Sequence, residues 1–192
     1  ILPVRDGQTK AAAETLESIR HQTVANWEVL MDSEKKLKKE DEKVRGIAVE
    51  ADADLGARMV AGRKQGKGDW LLFMEPGDIL EPGAFYQICQ KINRETKVKL
   101  IYSDSDKIDF ETHTIFEPQF KPDDSPYTLQ SGNYIGNSIW IHDKLAEEVG
   151  GIREGYGSQP LYDLILRCRE KTDQISHISE ILYHESCPME RD

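Results

Sequence analysis

Short apolar runs alternate with amphipathic stretches along the first half of the chain. Apolar side chains three and four residues apart mark most of the stretches between these runs as helices. The predicted strands are 1–4, 27–31, 44–49, 70–74 and 100–102, and the predicted helices are 11–22, 55–65 and 82–94. This rhythm predicts an α/β fold with a mostly parallel central sheet flanked by helices. Ligands of such sheets bind in the crevice beyond the carboxyl ends of the strands.

The rhythm changes after Asp109. The second half carries an extended or hairpin segment at 112–120, a strand at 138–141, a short helix at 144–149 and a helix at 160–169. Two short apolar pieces, 175–178 and 181–183, are predicted as edge strands. A smaller region of mixed character is therefore expected to cover the mouth of the crevice. We place the boundary between two halves of one domain at residue 109.

Polar and acidic side chains directly follow four of the predicted strands. These clusters are at residues 5–6, 32–33, 75–78 and 104–106. Because the carboxyl ends of parallel strands meet at one edge of a sheet, the acidic excess favours a site for a cation or a sugar phosphate. The alternative is that these positions are polar only because loops are polar.

Asp104 and Asp106 form the most acidic of these clusters. They lie two residues apart, so in an extended chain their side chains share one face. Two carboxylates on one face can bind a divalent cation. A polar turn that ends the strand explains the same residues, because Asp and Ser favour turns.

Composition narrows the class of protein. The formal net charge of −10 argues against a nonspecific nucleic-acid binder, which needs a basic face. Three distant cysteines without a Cys-x-x-Cys pair argue against structural zinc and favour free thiols in a reducing compartment. No apolar run approaches the ~18 residues of a membrane span. The chain begins without Met, so we expect it to belong to a longer protein with other domains.

Ordered sequence motifs carry a family resemblance. The run Tyr102-Ser103-Asp104-Ser105-Asp106-Lys107-Ile108-Asp109 resembles the Tyr-Ser-Asp-Glu-Asp-Lys-Ile-Asp signature of bacterial family-2 glycosyltransferases of the O-antigen and rhamnosyltransferase-like type. Further blocks of this family follow in order: Phe120-Lys121-Pro122-Asp123, Asn133-Tyr134-Ile135-Gly136, Val149-Gly150-Gly151-Ile152-Arg153-Glu154-Gly155, Asp163-Leu164-Ile165-Leu166-Arg167 and Ile181-Leu182-Tyr183-His184. Their joint order covers nearly the whole chain.

The resemblance implies the GT-A fold, the fold of nucleotide-diphospho-sugar transferases. It implies inverting transfer of a sugar from a nucleotide-diphosphate sugar, with divalent Mg²⁺ or Mn²⁺, to a glycan or lipid-linked acceptor in surface polysaccharide synthesis. Residues 1–109 would be the nucleotide-sugar-binding half and residues 110–192 the acceptor-side half. The implied location is cytoplasmic, at the inner face of the cell membrane.

The resemblance also assigns site residues. Those implied to bind the donor are Pro3, Val4, Arg5 and Asp6 beside the nucleobase, Asp32 at the base or ribose, Arg58 at the ribose or diphosphate, and Asp104 and Asp106 alongside the pocket. His184 would approach the metal or the phosphates. The metal itself is expected at the end of the fourth predicted strand, where Glu75 and Asp78 are the acids present. A Pro-Gly turn with Asp78 capping the next helix explains the same residues equally well.

The chain departs from the family pattern at the catalytic base. The position two residues before Asp163 is Leu161, and leucine cannot accept a proton. Asp163 or another acid would then serve as the base, and Asp163 is the predicted one. The alternative is a catalytically impaired domain that binds a nucleotide-sugar, a glycan or a partner domain.

Overall fold

The computed structural model describes residues 1–5, 7–32, 42–109 and 111–187. Among the predicted site residues, Asp6 lies outside these ranges, as does residue 33 of the second polar cluster. The strands are β1 Val29–Asp32, β2 Val44–Ile47, β3 Trp70–Leu72, β4 Ile79–Leu80, β5 Leu100–Ile108, β6 Ile115–Gln119, β7 Ile139–His142 and β8 Ile175–Ser186. The helices are α1 Thr9–Arg20, α2 Leu55–Gln65, α3 Ala84–Arg94, α4 Pro126–Ser131, α5 Asp143–Glu148 and α6 Pro160–Lys171.

The main sheet has the strand order β3-β7-β5-β8-β4, with β6 paired to β5. Strands β1 and β2 form a parallel pair beside it. The segment at the start of the chain links the two sheets, because Leu2 N–H donates to Leu30 O at 2.9 Å and Met74 N–H donates to Ile1 O at 3.0 Å. Residues 1–4 therefore lie beside β1, but they form only an isolated bridge between Leu2 and Met31 and not the predicted strand.

The pairing is more mixed than the mostly parallel sheet expected from the sequence. Strand β7, from the second half of the chain, runs antiparallel between β3 and β5. Strands β4 and β6 are also antiparallel to their partners, whereas β5 and β8 are parallel. The strand–helix rhythm of the first half could not show this, since the antiparallel strand is inserted from distant sequence.

Strands β5 and β8 differ most from the prediction. β5 continues to Ile108, so Asp104 and Asp106 lie inside a strand instead of beyond its end. The two apolar pieces predicted as edge strands form the single strand β8, which lies between β5 and β4 in the interior of the sheet. In β5 the acidic side chains are buried against partners on β8, whereas in β8 the exposed residues Ser179 and Glu180 separate the two apolar pieces in the sequence.

Two apolar clusters cover the two faces of the sheet. Side chains of β5 alternate between them, with Ile101 in one cluster and Leu100 and Tyr102 in the other. Helices α1 and α3 contribute to the first cluster, and α2, α4, α5 and α6 contribute to the second. The helices therefore hold the sheet rigidly from both sides.

Candidate functional site

Three of the predicted donor-binding residues meet at the end of β1. The Val4 N–H donates to Asp32 Oδ1 at 2.5 Å, and Asp32 Oδ2 pairs with the Arg58 guanidinium. Asp32 is 4% exposed and Arg58 is 9% exposed. A buried charge of one sign is stabilised here by a hydrogen-bonded charge of the other. Pro3 and Arg5 flank Val4 on the same segment.

Local sequence explains how Arg58 reaches this place. Asp54 caps α2 by accepting the Ala57 N–H at 2.7 Å, which begins the helix one turn before Arg58. The guanidinium then donates to the carbonyl of Ala53 at 3.0 Å and to that of Ala51 at 2.9 Å. With Asp32 as a third partner, its orientation is fixed before any ligand arrives.

The predicted metal residue Asp78 is engaged by the protein itself. Its Oδ2 accepts the Glu75 N–H at 3.0 Å and the Tyr183 hydroxyl, and its Oδ1 accepts the Ser186 N–H at 2.8 Å. It is 2% exposed. Burial raises the pKa of Asp78 to about 7, although these hydrogen bonds act in the opposite direction. Asp78 joins the 75–78 turn to β8.

His184 is likewise surrounded by protein carboxylates. Its Nδ1 lies against Asp106 Oδ1, and its Nε2 is 3.1 Å from Glu81 Oε1. The side chains of His184 and Asp106 are both nearly buried. The contact follows from the register, which places Asp106 opposite His184 on the parallel neighbour β8.

The predicted metal set of Glu75, Asp78 and His184 is not assembled in this structure. Across the described ranges, no three or more His, Cys, Asp and Glu side chains are grouped so as to hold a metal ion. Asp78 and His184 each use both polar atoms of the side chain on protein partners. Glu75 is exposed. The residues present therefore do not fit the divalent metal of the family.

Asp104 holds a loop that the sequence did not connect to it. Its Oδ1 accepts the Lys121 N–H at 2.8 Å and lies 2.8 Å from His177 Nε2. The His177 ring stacks on Tyr102, with centroids 4.8 Å apart and planes inclined by 16°. The Tyr102 hydroxyl in turn donates to Pro122 O at 2.6 Å. The Tyr-Ser-Asp part of the signature therefore holds the 121–125 loop against the sheet.

Lys121 is a buried cation at the start of that loop. Its Nζ donates to Ile135 O at 2.7 Å, and the residue is 7% exposed. Burial lowers the pKa of Lys121 to about 8, while the nearby carboxylates of Glu185 and Asp104 oppose the shift. The loop, the 133–136 turn and the end of β8 thus share one polar network.

The sequence assigned no role to His177 or Tyr183. His177 completes the contacts around Asp104, and Tyr183 completes those around Asp78. Each contacts its partner across more than 70 residues of chain, so no local spacing reveals the contact. The only signal was the position of Tyr183 within the last family block.

A cavity near the sheet is not part of the predicted site. It has a volume of about 420 Å³ and is lined mainly by apolar side chains, including Trp27, Trp70 and Trp140. None of the predicted site residues lines it. Since ligands of α/β sheets bind beyond the carboxyl ends of the strands, we place the candidate site at Val4, Asp32 and Arg58.

Two curated proteins are similar in sequence to this chain. The chain is 29% identical over 195 residues to the O-antigen biosynthesis protein RfbC of Myxococcus xanthus, covering 96% of this chain and 15% of that protein. It is 30% identical over 196 residues to the uncharacterized protein y4gI of Sinorhizobium fredii, covering 95% of this chain and 22% of that protein. The chain thus spans less than a quarter of either relative. No protein-family model matches it.

Solved structures show the fold. The structure of S. aureus TarS 1–349 in complex with UDP-GlcNAc matches with a TM-score of 0.75 at 15% identity, covering 99% of this chain and 58% of that one. The complex of the same protein with UDP matches with a TM-score of 0.72 at 16% identity, covering 97% and 59%. The chain has the GT-A fold. Together with RfbC, this confirms the resemblance to bacterial glycosyltransferases of the O-antigen type.

In this GT-A domain, the family's base position lies in the core. Leu161 is 8% exposed and packs in the second apolar cluster. Asp163, two residues further along α6, accepts from Arg167 Nε at 3.0 Å and Nη2 at 2.5 Å, and its Oδ1 is 3.6 Å from Arg153. Asp163 is therefore a carboxylate held by Arg167, with its other oxygen toward Arg153.

Within the described ranges, no helix of this GT-A domain is both long and apolar enough to cross a membrane.

Proposed function

We propose that this domain binds a nucleotide-diphosphate sugar at Val4, Asp32 and Arg58 and transfers its sugar to a glycan or lipid-linked acceptor in surface polysaccharide synthesis. The observation that carries the proposal is the meeting of these three residues at the end of β1 in a GT-A fold. The name of RfbC and the UDP-GlcNAc complex of TarS support the substrate class.

The chemistry of this site follows from its charges. Breaking the bond between sugar and diphosphate leaves negative charge on the leaving group, which positioned hydrogen-bond donors stabilise. Arg58 supplies a cation whose orientation is fixed by Asp32 and two backbone carbonyls. The Val4 and Asp32 contact fixes the segment beside which the nucleobase would lie. In an inverting reaction, a carboxylate removes the proton of the attacking hydroxyl, and Asp163 is the candidate.

A second candidate function is binding without transfer. It is favoured by Leu161, which places an apolar side chain in the core at the family's base position. It is also favoured by the two hydrogen bonds that Arg167 donates to Asp163. In this case the domain binds a nucleotide-sugar, a glycan or a partner domain of the longer protein.

Cellular placement belongs to the same proposal. A lipid-linked acceptor brings the reaction to the inner face of the cell membrane, with this domain on the cytoplasmic side. Other parts of a longer protein would then supply contacts with the acceptor and with the membrane.

Release of nucleoside diphosphate tests transfer against binding. The protein is incubated with UDP-, GDP- and dTDP-sugars. The free nucleoside diphosphate is then measured for the wild type and for Asp163→Asn. If Asp163 is the base, the wild type releases nucleoside diphosphate, and the variant releases it roughly 10²–10⁴-fold more slowly. Equal rates of release in the wild type and in Asp163→Asn would show that a residue other than Asp163 is the base. Binding without release supports the second candidate, and neither binding nor release overturns both.

A further inference from the structure

We infer that this domain binds the diphosphate of its donor without a divalent metal, because Asp78 and His184 are engaged by other protein groups and Glu75 alone remains exposed at the family's metal position. The inference rests on the proposed function, since it concerns how the same donor is held. Four residues carry it: Asp78, Gly77, His184 and Glu75.

Asp78 is poorly placed to bind a metal. Three protein donors, the Glu75 N–H, the Tyr183 hydroxyl and the Ser186 N–H, occupy three of the roughly four acceptor positions of its carboxylate. The fourth position, on Oδ1, belongs to a buried side chain, so a metal could reach it only by opening these contacts. Each buried hydrogen bond that is lost costs about 1–3 kcal/mol. The residue is 2% exposed, so water does not replace the lost contact.

Gly77 excludes an acid at the neighbouring position. Its φ of +104° belongs to a region that side-chain-bearing residues rarely adopt. A Cβ built there would lie 2.5 Å from Ser186 Oγ and 2.8 Å from Ser186 Cβ. The Gly77 N–H also donates to Thr15 Oγ1 at 2.9 Å. The turn is thus packed between β8 and α1, where a metal-binding side chain at 77 would have no room.

His184 and Asp106 are occupied by each other. His184 Nδ1 lies against Asp106, and His184 Nε2 is 3.1 Å from Glu81 Oε1. A histidine ligand must present an unprotonated ring nitrogen to the metal. Here each nitrogen faces a carboxylate instead, in a buried contact that metal binding would break.

Glu75 is then the one acid left at this position within the described ranges. It is exposed to solvent, and its backbone N–H is held by Asp78. A single carboxylate in water attracts a cation only weakly, because the high dielectric screens the charge. Arg58, which is paired with Asp32, is the cation of the proposed donor site.

Nucleotide titrations with and without metal test this inference. UDP, GDP and dTDP are each titrated calorimetrically into the protein, once in EDTA and once in millimolar Mn²⁺. We expect the nucleotide that binds to show the same Kd in both buffers, within about threefold. In parallel, adding protein to a mixture of Mn²⁺ and nucleotide should not lower the electron paramagnetic resonance signal of free Mn²⁺ below its value in the same mixture without protein.

The outcomes separate the two proposals. Binding that strengthens tenfold or more with Mn²⁺, or a fall in the free Mn²⁺ signal when protein is added to the Mn²⁺–nucleotide mixture, overturns the metal-free site while the proposed function stands. In that event, a Glu75→Gln variant that loses the gain identifies Glu75 as the ligand. No nucleotide binding in either buffer overturns the proposed function and this inference with it.

Discussion

Val4 and Asp32 are joined by a hydrogen bond of 2.5 Å from the Val4 N–H to Asp32 Oδ1. This contact ties the first segment of the chain to the end of β1, and the second oxygen of Asp32 pairs with Arg58. One buried carboxylate therefore organises the segment beside the nucleobase and the cation near the phosphates. The proposed donor site depends on it more than on any other side chain.

Removing the charge of Asp32 should weaken nucleotide binding. In Asp32→Asn, Arg58 loses its buried ionic partner, and a hydrogen bond to a charged group is worth about 1.5–3 kcal/mol. We expect a loss of affinity of roughly 10- to 100-fold for the nucleotide that binds best, measured by calorimetry.

Asp52→Asn is the matched control, since Asp52 is exposed in the loop just before the Asp54 cap of α2. It should bind nucleotide as the wild type does. Unchanged affinity in Asp32→Asn would remove Asp32 from the donor site.

The contact between Asp104 and His177 should be a main source of stability. In His177→Ala, Asp104 keeps only the Lys121 N–H as a described partner, and Tyr102 loses its stacked ring. Removing a hydrogen-bond partner of a buried carboxylate costs about 1.5–3 kcal/mol. We expect a loss near that range in urea unfolding. His21→Ala, at an exposed position, should change stability by no more than about 0.5 kcal/mol. Equal effects in the two variants would show that the contact is not structural.

Gly77 should tolerate no side chain. In Gly77→Ala, the new Cβ meets Ser186 while the backbone stays at a φ of +104°. Strain and overpacking together should cost about 2–4 kcal/mol in the free energy of unfolding. Gly46→Ala is the control, because a Cβ there meets nothing within 4 Å. It should be neutral or stabilising by about 0.4–1 kcal/mol. A Gly77→Ala variant as stable as the Gly46→Ala one would contradict the close packing of this turn.

The sequence predicted the helices well because their apolar spacing is local. Helix α2 begins and ends as expected, and α1, α3 and α6 differ from the predictions by two residues or fewer at each end. The polar strands could not be predicted in the same way. Asp104 and Asp106 have the sequence of a turn, and only partners on β8 make it favourable to bury them.

The candidate site was predictable to a similar degree. The resemblance placed Val4, Asp32 and Arg58 in one site, and the structure brings them into contact. It also suggested metal ligands at Glu75, Asp78 and His184. In the structure, Asp78 and His184 instead contact Tyr183, Ser186, Asp106 and Glu81, and sequence spacing does not show these contacts.

Stability should depend on pH through Asp78. Burial raises its pKa from 3.8 to about 7, so the folded state favours the protonated carboxyl. The stability that this contributes is fully present below about pH 4 and is lost as the pH rises through 7. A difference of about three pKa units corresponds to about 4 kcal/mol. Relative to Asp78→Asn, which does not titrate, the wild type should lose stability between pH 4 and 7.

Urea unfolding of both proteins across this range gives the measurement. Contributions from other acids cancel in the difference between the two curves. Parallel curves would show that Asp78 titrates in the folded state as it does in the unfolded one.

The location of bound nucleotide tests the central claim most directly. Two-dimensional ¹⁵N–¹H NMR spectra of the labelled protein are recorded while UDP-GlcNAc, a GDP-sugar or a dTDP-sugar is added. We predict that one of these donors shifts the signals of Val4, of Asp32 and of the Arg58 side chain in a saturable way. Shifts confined to the cavity lined by Trp27 and Trp70, or no saturable shift with any donor, would contradict the proposed site.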